Sequence, residues 1–356
     1  MSPPSTIPRH PIAIPDDHRY VHRSHPPTLS LTPPLDPPFH ISQTTTGDGA
    51  VATRPIRTGQ LLFVENEPLV IQPENASEQS ILAALCHLPP ARSQAFFTLS
   101  TSLDRKTPIR DIFQTNALPL GPCVPVSLSE PDMAYGVFST LSRLNNSCTP
   151  NAAATWNDVT QRMSLHALRP IATNEEITIS YGQPLFATRA ERRSYLKRTR
   201  GFDCICGACR STDPSSDARR EELKRLFTSI PFVPDPATGV KMVRISLHRQ
   251  SLRRLSCVAL MANHIVQVLQ ALQTLRTEGI DLCADVLAYD AAQFCFAASD
   301  VKHGREWLQY AYDYKCRASG VESETAVFFA KCLQTSSPPD PLASHNRPMI
   351  LWGPPS

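Results

Sequence analysis

At 356 residues the chain is long enough for two domains, each with its own hydrophobic core. Its 35 basic and 32 acidic residues leave a net charge of +3, which gives no electrostatic footprint for nucleic acid and no bias toward an acidic or basic partner. Eleven cysteines, an odd count, argue against a disulfide framework; with no apolar run near the ~18 residues of a membrane span and no signal-like N-terminus, an intracellular protein of nucleus or cytoplasm is expected.

Residues 1–46 hold eleven of the 34 prolines and little apolar periodicity, which predicts a disordered tail. The histidines of "HRYVHRSH" lie inside it without cysteine or carboxylate support and read as solvated. From Gly47, "GDGAVATRPIRTGQLLFVENEPLVIQ" reads as strand, turn, strand, with turns at Gly49 and Gly59. A helical insert follows at about 74–135, opening with Ser77 as N-cap and broken by Pro89 and Pro90. "MSLHALRPIATNEEITISYG" returns to strand composition, with Asn174 as the turn between two β-rich runs.

Beyond residue 213 the chain turns helical. Leu255, Val258, Met261, Ile265, Leu269, Leu272 and Leu275 recur at three- and four-residue steps until Gly279. Two alanine-rich helices are then expected around a turn at Gly304, with Trp307 supplying bulk and Gly320 ending the second. They form either one tetratricopeptide-like unit or antiparallel helices of no fixed repeat. Cys257, Cys283, Cys295, Cys316 and Cys332 sit in these apolar stretches and read as small buried hydrophobes. Residues 338–356 read as a flexible tail.

The chemistry concentrates in two short segments. "GFDCICGACR" offers Cys204, Cys206 and Cys209 at CxCxxC spacing, three thiolates from one tight loop, and a closed tetrahedral zinc site needs a fourth. Cys86 lies in an apolar helical stretch and Cys123 between Pro122 and Val124. Cys148, in "RLNNSCTPN", sits among asparagines, serine and proline, where a thiol has no packing reason to be, and is the best candidate.

"RLNNSCTPN", then "EEITISYG", then "GFDCICGAC", together with the glycines of "GDGAVATRPIRTGQLLFVENEPL", resemble the SET-domain protein-lysine methyltransferases, closest to the SET-and-MYND type and its fungal relatives. The resemblance covers roughly half the chain. It implies an α+β fold of small curved sheets with a pseudoknot, which brings "RLNNSC" beside "ITISY". The expected organisation is a SET domain over 47–183 with its helical insert, a post-SET zinc region over 184–212 and a C-terminal helical domain over 213–337. It also implies that Cys148, Cys204, Cys206 and Cys209 bind one structural zinc that pins the post-SET loop over a cofactor pocket.

The implied reaction moves a methyl group from S-adenosylmethionine to a lysine of a histone or non-histone protein, a displacement that needs a neutral, aligned amine and oxygens that favour the polarised methyl. Tyr181 matches the catalytic tyrosine whose hydroxyl points at that methyl. Gly47, Asp48 and Gly49 match the backbone that approaches the cofactor, Asn145 and Asn146 the pair that holds its amino-acid end and adenine, and Phe202 an aromatic stacked on the adenine. From the residues alone, a half-buried strand tyrosine is the commoner reading of Tyr181, and the other readings are a hairpin turn for Gly47 and Gly49 and an apolar anchor of the cysteine loop for Phe202.

Two departures stand out. Asn146 takes a position where histidine is usual, and only Cys86 and Cys123 lie between Pro68 and Gly136, so the cysteine-rich MYND zinc module is absent. They motivate an alternative of another class, a SET-fold interaction scaffold without turnover. Asn145-Asn146-Ser147 is formally a glycosylation acceptor, which an intracellular chain does not use. "RAERRSYLKRTR" reads as the solvated face of a helix, with Glu191 among the bases, and not as a nucleic-acid stripe. A monomer without membrane or direct nucleic-acid partners is expected.

Overall fold

The computed structural model describes residues 36–66, 69–71, 76–101, 107–121, 134–229, 258–298, 300–334 and 353–355. The histidine-bearing part of the proline-rich tail, Cys123, Leu255, Cys257 and most of the C-terminal tail lie outside the described residues.

The first strand corrects the boundary at residue 46. Phe39–Thr44 (β1) pairs antiparallel with Gly47–Ala52 (β2), Thr44 opposite Gly47. Phe39 and Ile41, two residues apart, face the core in the period of a strand, a signal masked by the prolines just before them. Gly47 closes the hairpin at φ 112°, a conformation glycine adopts without strain. Gly49 is not a turn residue but pairs with Ser42 inside β2, whereas Gly59 turns at φ 75° as expected.

Leu61–Asn66 (β3) and Leu69–Ile71 (β4) follow, then the insert helices Glu78–Cys86 (α1), Pro90–Phe96 (α2) and Pro108–Asn116 (α3). Ser77 caps α1 in a capping box with Ser80, and Pro90 starts α2 at its first turn. Leu118–Pro119 (β5), within the insert, and Tyr135–Val137 (β6) form a three-stranded sheet with β4, on which Ile81, Leu85, Phe96, Ile112 and Phe113 build a separate small core.

Asn145–Asn146 (β7), Ala152–Asn157 (β8), Arg162–Ala167 (β9) and Glu176–Ile179 (β10) complete the sheets, and Asn174 turns at φ 65° between β9 and β10. One sheet runs β3-β9-β8. The other runs β1-β2-β10-β7, and in it β10 is antiparallel to β2 and parallel to β7. The parallel pair sets Thr178 against Asn145 and Ile179 against Asn146, so the two chemistry-bearing segments become sheet neighbours. Asn151, 1% exposed, locks this arrangement: its Oδ1 accepts from the Thr178 amide at 2.8 Å and its Nδ2 donates to the Glu176 carbonyl at 2.8 Å.

Arg189–Arg200 (α4) and Gly207–Arg210 (α5) carry the cysteine loop; Ser216–Ser229 (α6), Val258–Glu278 (α7), Ala284–Ala297 (α8), Val301–Ser319 (α9) and Glu324–Gln334 (α10) form the helical part. These helices share a core with the β3-β9-β8 sheet and the segment after it, since Ala153, Leu168, Leu185 and Phe186 pack with Leu223, Leu272, Leu287 and Trp307. Burying each large apolar side chain contributes roughly 1.5–3 kcal/mol, so the helices and the β8–β9 face stabilise one another. Successive helices neighbour each other, α7 on α8, α8 on α9, α9 on α10.

Gly304 is not the break between the two helices: α8 ends at Ala297 and α9 starts at Val301, where the Asp300 side chain caps it by accepting from the His303 amide. Gly304 sits within α9, because a methyl group there would come 2.4 Å from the Phe296 ring; it permits the α8–α9 approach. Cys283, Cys295, Cys316 and Cys332 are buried as expected. Gly353, within the stretch read as a loose tail, packs against His303 and Glu306 of α9. Among the described residues no helix is long and apolar enough to cross a membrane.

Candidate active site and metal centre

The local sequence dictates how the thiols meet. Thr188 and Glu191 form a capping box that starts α4, and Gly201, left-handed at φ 79°, ends it and turns the chain into the cysteine loop. The Cys209 amide donates to the Cys206 carbonyl at 2.9 Å, folding the second half of CxCxxC into one turn. Cys148, fully buried just after β7, meets this loop. The four Sγ atoms lie within 4.8 Å of one another, and Cys148 and Cys209 are 3.7 Å apart.

A tetrahedral ion with metal–sulfur bonds near 2.3 Å would set its thiolates about 3.8 Å apart, so the donor set fits a single metal ion. Crowded together, the thiols share protons unequally. Hydrogen bonding with Cys204 holds Cys148 well above the usual thiol range, whereas Cys148 pulls Cys206 far below it.

Nitrogen donors surround these sulfurs. The Cys148 amide approaches Cys206 Sγ at 3.4 Å, and the side-chain amides of Asn146 and Gln183 donate to Cys204 and Cys148 at 3.8 Å each. Arg192, on α4, is fully buried. Its Nη1 donates to the Ala187 carbonyl at 2.5 Å, while Nε and Nη2 have no hydrogen-bond partner. Burial opposes its charge, but Cys148 and Cys209 favour it and raise its pKa overall. A cationic group here offsets the excess negative charge of four thiolates on a divalent ion.

Tyr181 follows β10 and is half-buried. Its hydroxyl donates to the Leu144 carbonyl at 2.6 Å, and its amide donates to both Asn146 Oδ1 at 3.0 Å and Gln183 Oε1 at 2.9 Å. Arg200, at the end of α4, lies 5.5 Å from the centre of the Tyr181 ring and donates to the Tyr181 carbonyl at 3.2 Å. Burial pushes the phenol up to about 12, against the pull of Arg200 and with a smaller push from Glu176, so the hydroxyl is neutral at physiological pH. Its proton is committed to Leu144, which leaves the oxygen's lone pairs as acceptors.

The residues matched to a cofactor pocket gather around this point. Gly47, Asp48 and Gly49 in β2 and Asn145 and Asn146 in β7 flank β10 in one sheet. Asn145 Nδ2 donates to Thr44 Oγ1, the Asp48 carbonyl and Glu176 Oε1 at 3.1, 3.0 and 2.7 Å, fixing the hairpin against β10. Gly49 is enclosed, since a methyl group would fall 2.6 to 2.7 Å from Glu176, Asn145 and Thr44. Gly47 has open space where a side chain would project. The Asp48 carboxylate pairs with Arg143 at 3.3 Å. Phe202 meets Tyr181 edge to face with ring centres 6.2 Å apart and packs on the thiol cluster.

Residues 47–182, from β2 through the insert to just past Tyr181, match the SET domain. This part of the chain is a SET domain. Histone-lysine N-methyltransferase set5 of Schizosaccharomyces pombe is 31% identical over 182 residues, 50% of this chain and 53% of that protein. Human histone-lysine N-methyltransferase SMYD3 is 35% identical over 86 residues, covering 24% of this chain and 19% of its own. A SET and MYND domain-containing protein of Dictyostelium discoideum is 37% identical over 82 residues, 23% of each chain. The chain spans about half the length of the first relative and under a quarter of the other two.

The fold sets Gly47–Gly49, Asn145, Asn146, Cys148 and Tyr181, all within the matched residues, beside Phe202, Cys204, Cys206 and Cys209, which follow the match. Three others were missed. Gln183 is 1% exposed, and Arg192 and Arg200 are buried although their segment reads as a solvated face. The spacing held a signal: Arg192, Leu196 and Arg200 recur every four residues and share one side of α4.

Proposed function

We propose that the chain is an S-adenosylmethionine-dependent protein-lysine N-methyltransferase acting on a histone or another protein, with a structural zinc bound by Cys148, Cys204, Cys206 and Cys209. One observation carries the reading: β7 and Tyr181 of the SET match meet the thiol cluster that Cys148 completes with the loop after it, with Tyr181's hydroxyl oriented by the Leu144 carbonyl. The names of the relatives, histone-lysine N-methyltransferases, support the substrate class.

The cofactor supplies a sulfonium methyl. Gly47, Asp48, Gly49, Asn145, Asn146 and Phe202 are the residues that would hold it, between the β1–β2 hairpin and the cysteine loop. Tyr181, a neutral phenol with its proton engaged, presents an oxygen to a carbon that gains positive character in flight. A substrate lysine has a pKa near ~10.4 in water, and a closed apolar approach favours the neutral amine that reacts. No step in this scheme asks Tyr181 to lose a proton.

The test is transfer of labelled methyl from S-adenosylmethionine to histones and lysate proteins by purified, zinc-loaded protein. Labelled lysine lost in Tyr181→Phe is expected. Protein that binds cofactor and metal yet labels nothing, in wild type as in the variant, would leave the interaction scaffold as the correct reading.

A further inference from the structure

We propose that Asn146 and Gln183 are positioning residues that couple the metal centre to Tyr181. The inference deepens the methyltransferase reading and rests on it for its kinetic consequence, though not for its geometry. The Tyr181 amide proton is shared between two side-chain carbonyls, Asn146 Oδ1 at 3.0 Å and Gln183 Oε1 at 2.9 Å. The amide nitrogens of the same two side chains donate to two different sulfurs of the cluster, Asn146 Nδ2 to Cys204 and Gln183 Nε2 to Cys148, each at 3.8 Å. Gln183 Nε2 also donates to the Ser147 carbonyl at 2.9 Å, and its Oε1 accepts from the Ser180 hydroxyl at 3.2 Å.

Each side chain thus spans from sulfur to the Tyr181 backbone with one planar group, donor at one end and acceptor at the other. The network fixes which end is which, because a sulfur thiolate and a carbonyl accept and an amide N–H donates. The choice of amides has a physical reason: a carboxylate would repel the thiolates and an aliphatic chain would leave the Tyr181 proton without a partner. The two bridges come from opposite sides in sequence, Asn146 from β7 and Gln183 from the segment after Tyr181. A shift of either sulfur therefore moves the tyrosine backbone, and with it the hydroxyl held on Leu144. This gives Asn146, the departure from the histidine usual in the resemblance, a positive role: it is a hydrogen-bonding neighbour of the metal ligands. Outer groups of this kind change metal affinity or activity by roughly 10- to 100-fold when altered.

The experiment uses full-length protein loaded with cadmium-113 and labelled with nitrogen-15. Scalar coupling from the metal to the side-chain amide protons of Asn146 and Gln183, transmitted across N–H···S bonds, is the expected signature in wild type. Asn146→Asp and Gln183→Glu keep the carbonyl oxygen and delete the donor. Each is expected to abolish its own coupling, to speed hydrogen exchange of the Tyr181 amide by about tenfold, and to lower the maximal methylation rate by about tenfold; for Gln183→Glu, whose side chain is not among the cofactor-holding residues, the KM for S-adenosylmethionine is expected to stay within about twofold. A merely structural role would change melting temperature and leave the exchange rate and the KM-against-rate split unmoved. Absence of both couplings in wild type overturns the proposal even if neither variant folds, as does a folded variant with wild-type exchange at Tyr181. Wild type that shows the couplings but transfers no methyl would overturn the methyltransferase reading instead and leave the bridge intact.

Discussion

At the scale of single residues, the hydroxyl of Tyr181 and the ring of His166 show how burial fixes protonation. Burial pushes the pKa of Tyr181 up to about 12, so under the proposed function a methylation rate that rises toward alkaline pH is expected to report the substrate amine and not this phenol. Tyr181→Phe is expected to reduce the methylation rate by at least about 100-fold, the scale on which positioned polar groups act on developing charge, while folding changes by only about 1 kcal/mol for the lost bond to Leu144. His166, in β9, is 2% exposed and its Nδ1 has no partner; burial lowers its pKa from 6.5 to about 4. The unfolded chain takes up that proton near pH 6.5 and the folded one only near 4. Its contribution is therefore fully present above 6.5 and lost as pH falls toward 4, amounting to about 3 kcal/mol. Denaturant midpoints across this window should fall less steeply in His166→Leu than in wild type. Equal slopes would show that His166 is not buried neutral. The thiols and Tyr181 were legible in the sequence because each carries rare chemistry at fixed spacing. Gln183, Arg192 and Arg200 were not, because a glutamine or arginine in a polar stretch reads as solvated until tertiary packing buries it.

At the scale of elements, local rules placed most boundaries and failed where packing overrode them. Ser77, Gly201 and Asn174 did what cap and turn chemistry predicts. Gly304 did not: glycine in a helical pattern suggested a break, and its real role is to let α8 and α9 touch through Phe296. Gly304→Ala should therefore destabilise by about 1–3 kcal/mol of crowding, partly offset by the roughly 1 kcal/mol that alanine gains in a helix. Phe296→Ala in the same chain should relieve it. A double-mutant cycle in urea that shows simple additivity would exclude this contact. β1 was missed for a related reason: composition averaged over a proline-rich stretch hid the two-residue period of Phe39 and Ile41. The parallel pairing of β7 with β10 is a long-range contact that no local pattern encodes, and it became legible only through resemblance to a fold known to thread this way.

At the scale of the whole molecule, buried charge runs from beside the cysteine cluster into the helical part. Arg192 lies among the cysteines. Arg220, fully buried on α6, donates to the Leu185 carbonyl at 2.5 Å and to Glu278 at 2.8 Å, and Glu278, at the end of α7, also binds Arg219 at 2.6 Å. Removing one partner of a buried pair leaves the other uncompensated. Glu278→Ala should accordingly cost about 3–5 kcal/mol in global stability, measured by denaturant unfolding, far more than loss of an exposed pair such as Lys197 with Asp203. A loss below about 1 kcal/mol would mean that Arg220 finds water or another acceptor.

The four-sulfur cluster has a further consequence for how the chain is held. Cys148 and Cys204 enclose roughly 57 residues, including β10, so a bound ion would act as a reversible cross-link that restricts the unfolded ensemble by about 4 kcal/mol on the loop-entropy scale. Unlike a disulfide, this staple exchanges with the surrounding metal pool and opens when its thiolates are oxidised. Chelation should lower the melting temperature of the entire chain in one cooperative step, insert and helices included, coupling the fold to metal supply and redox state.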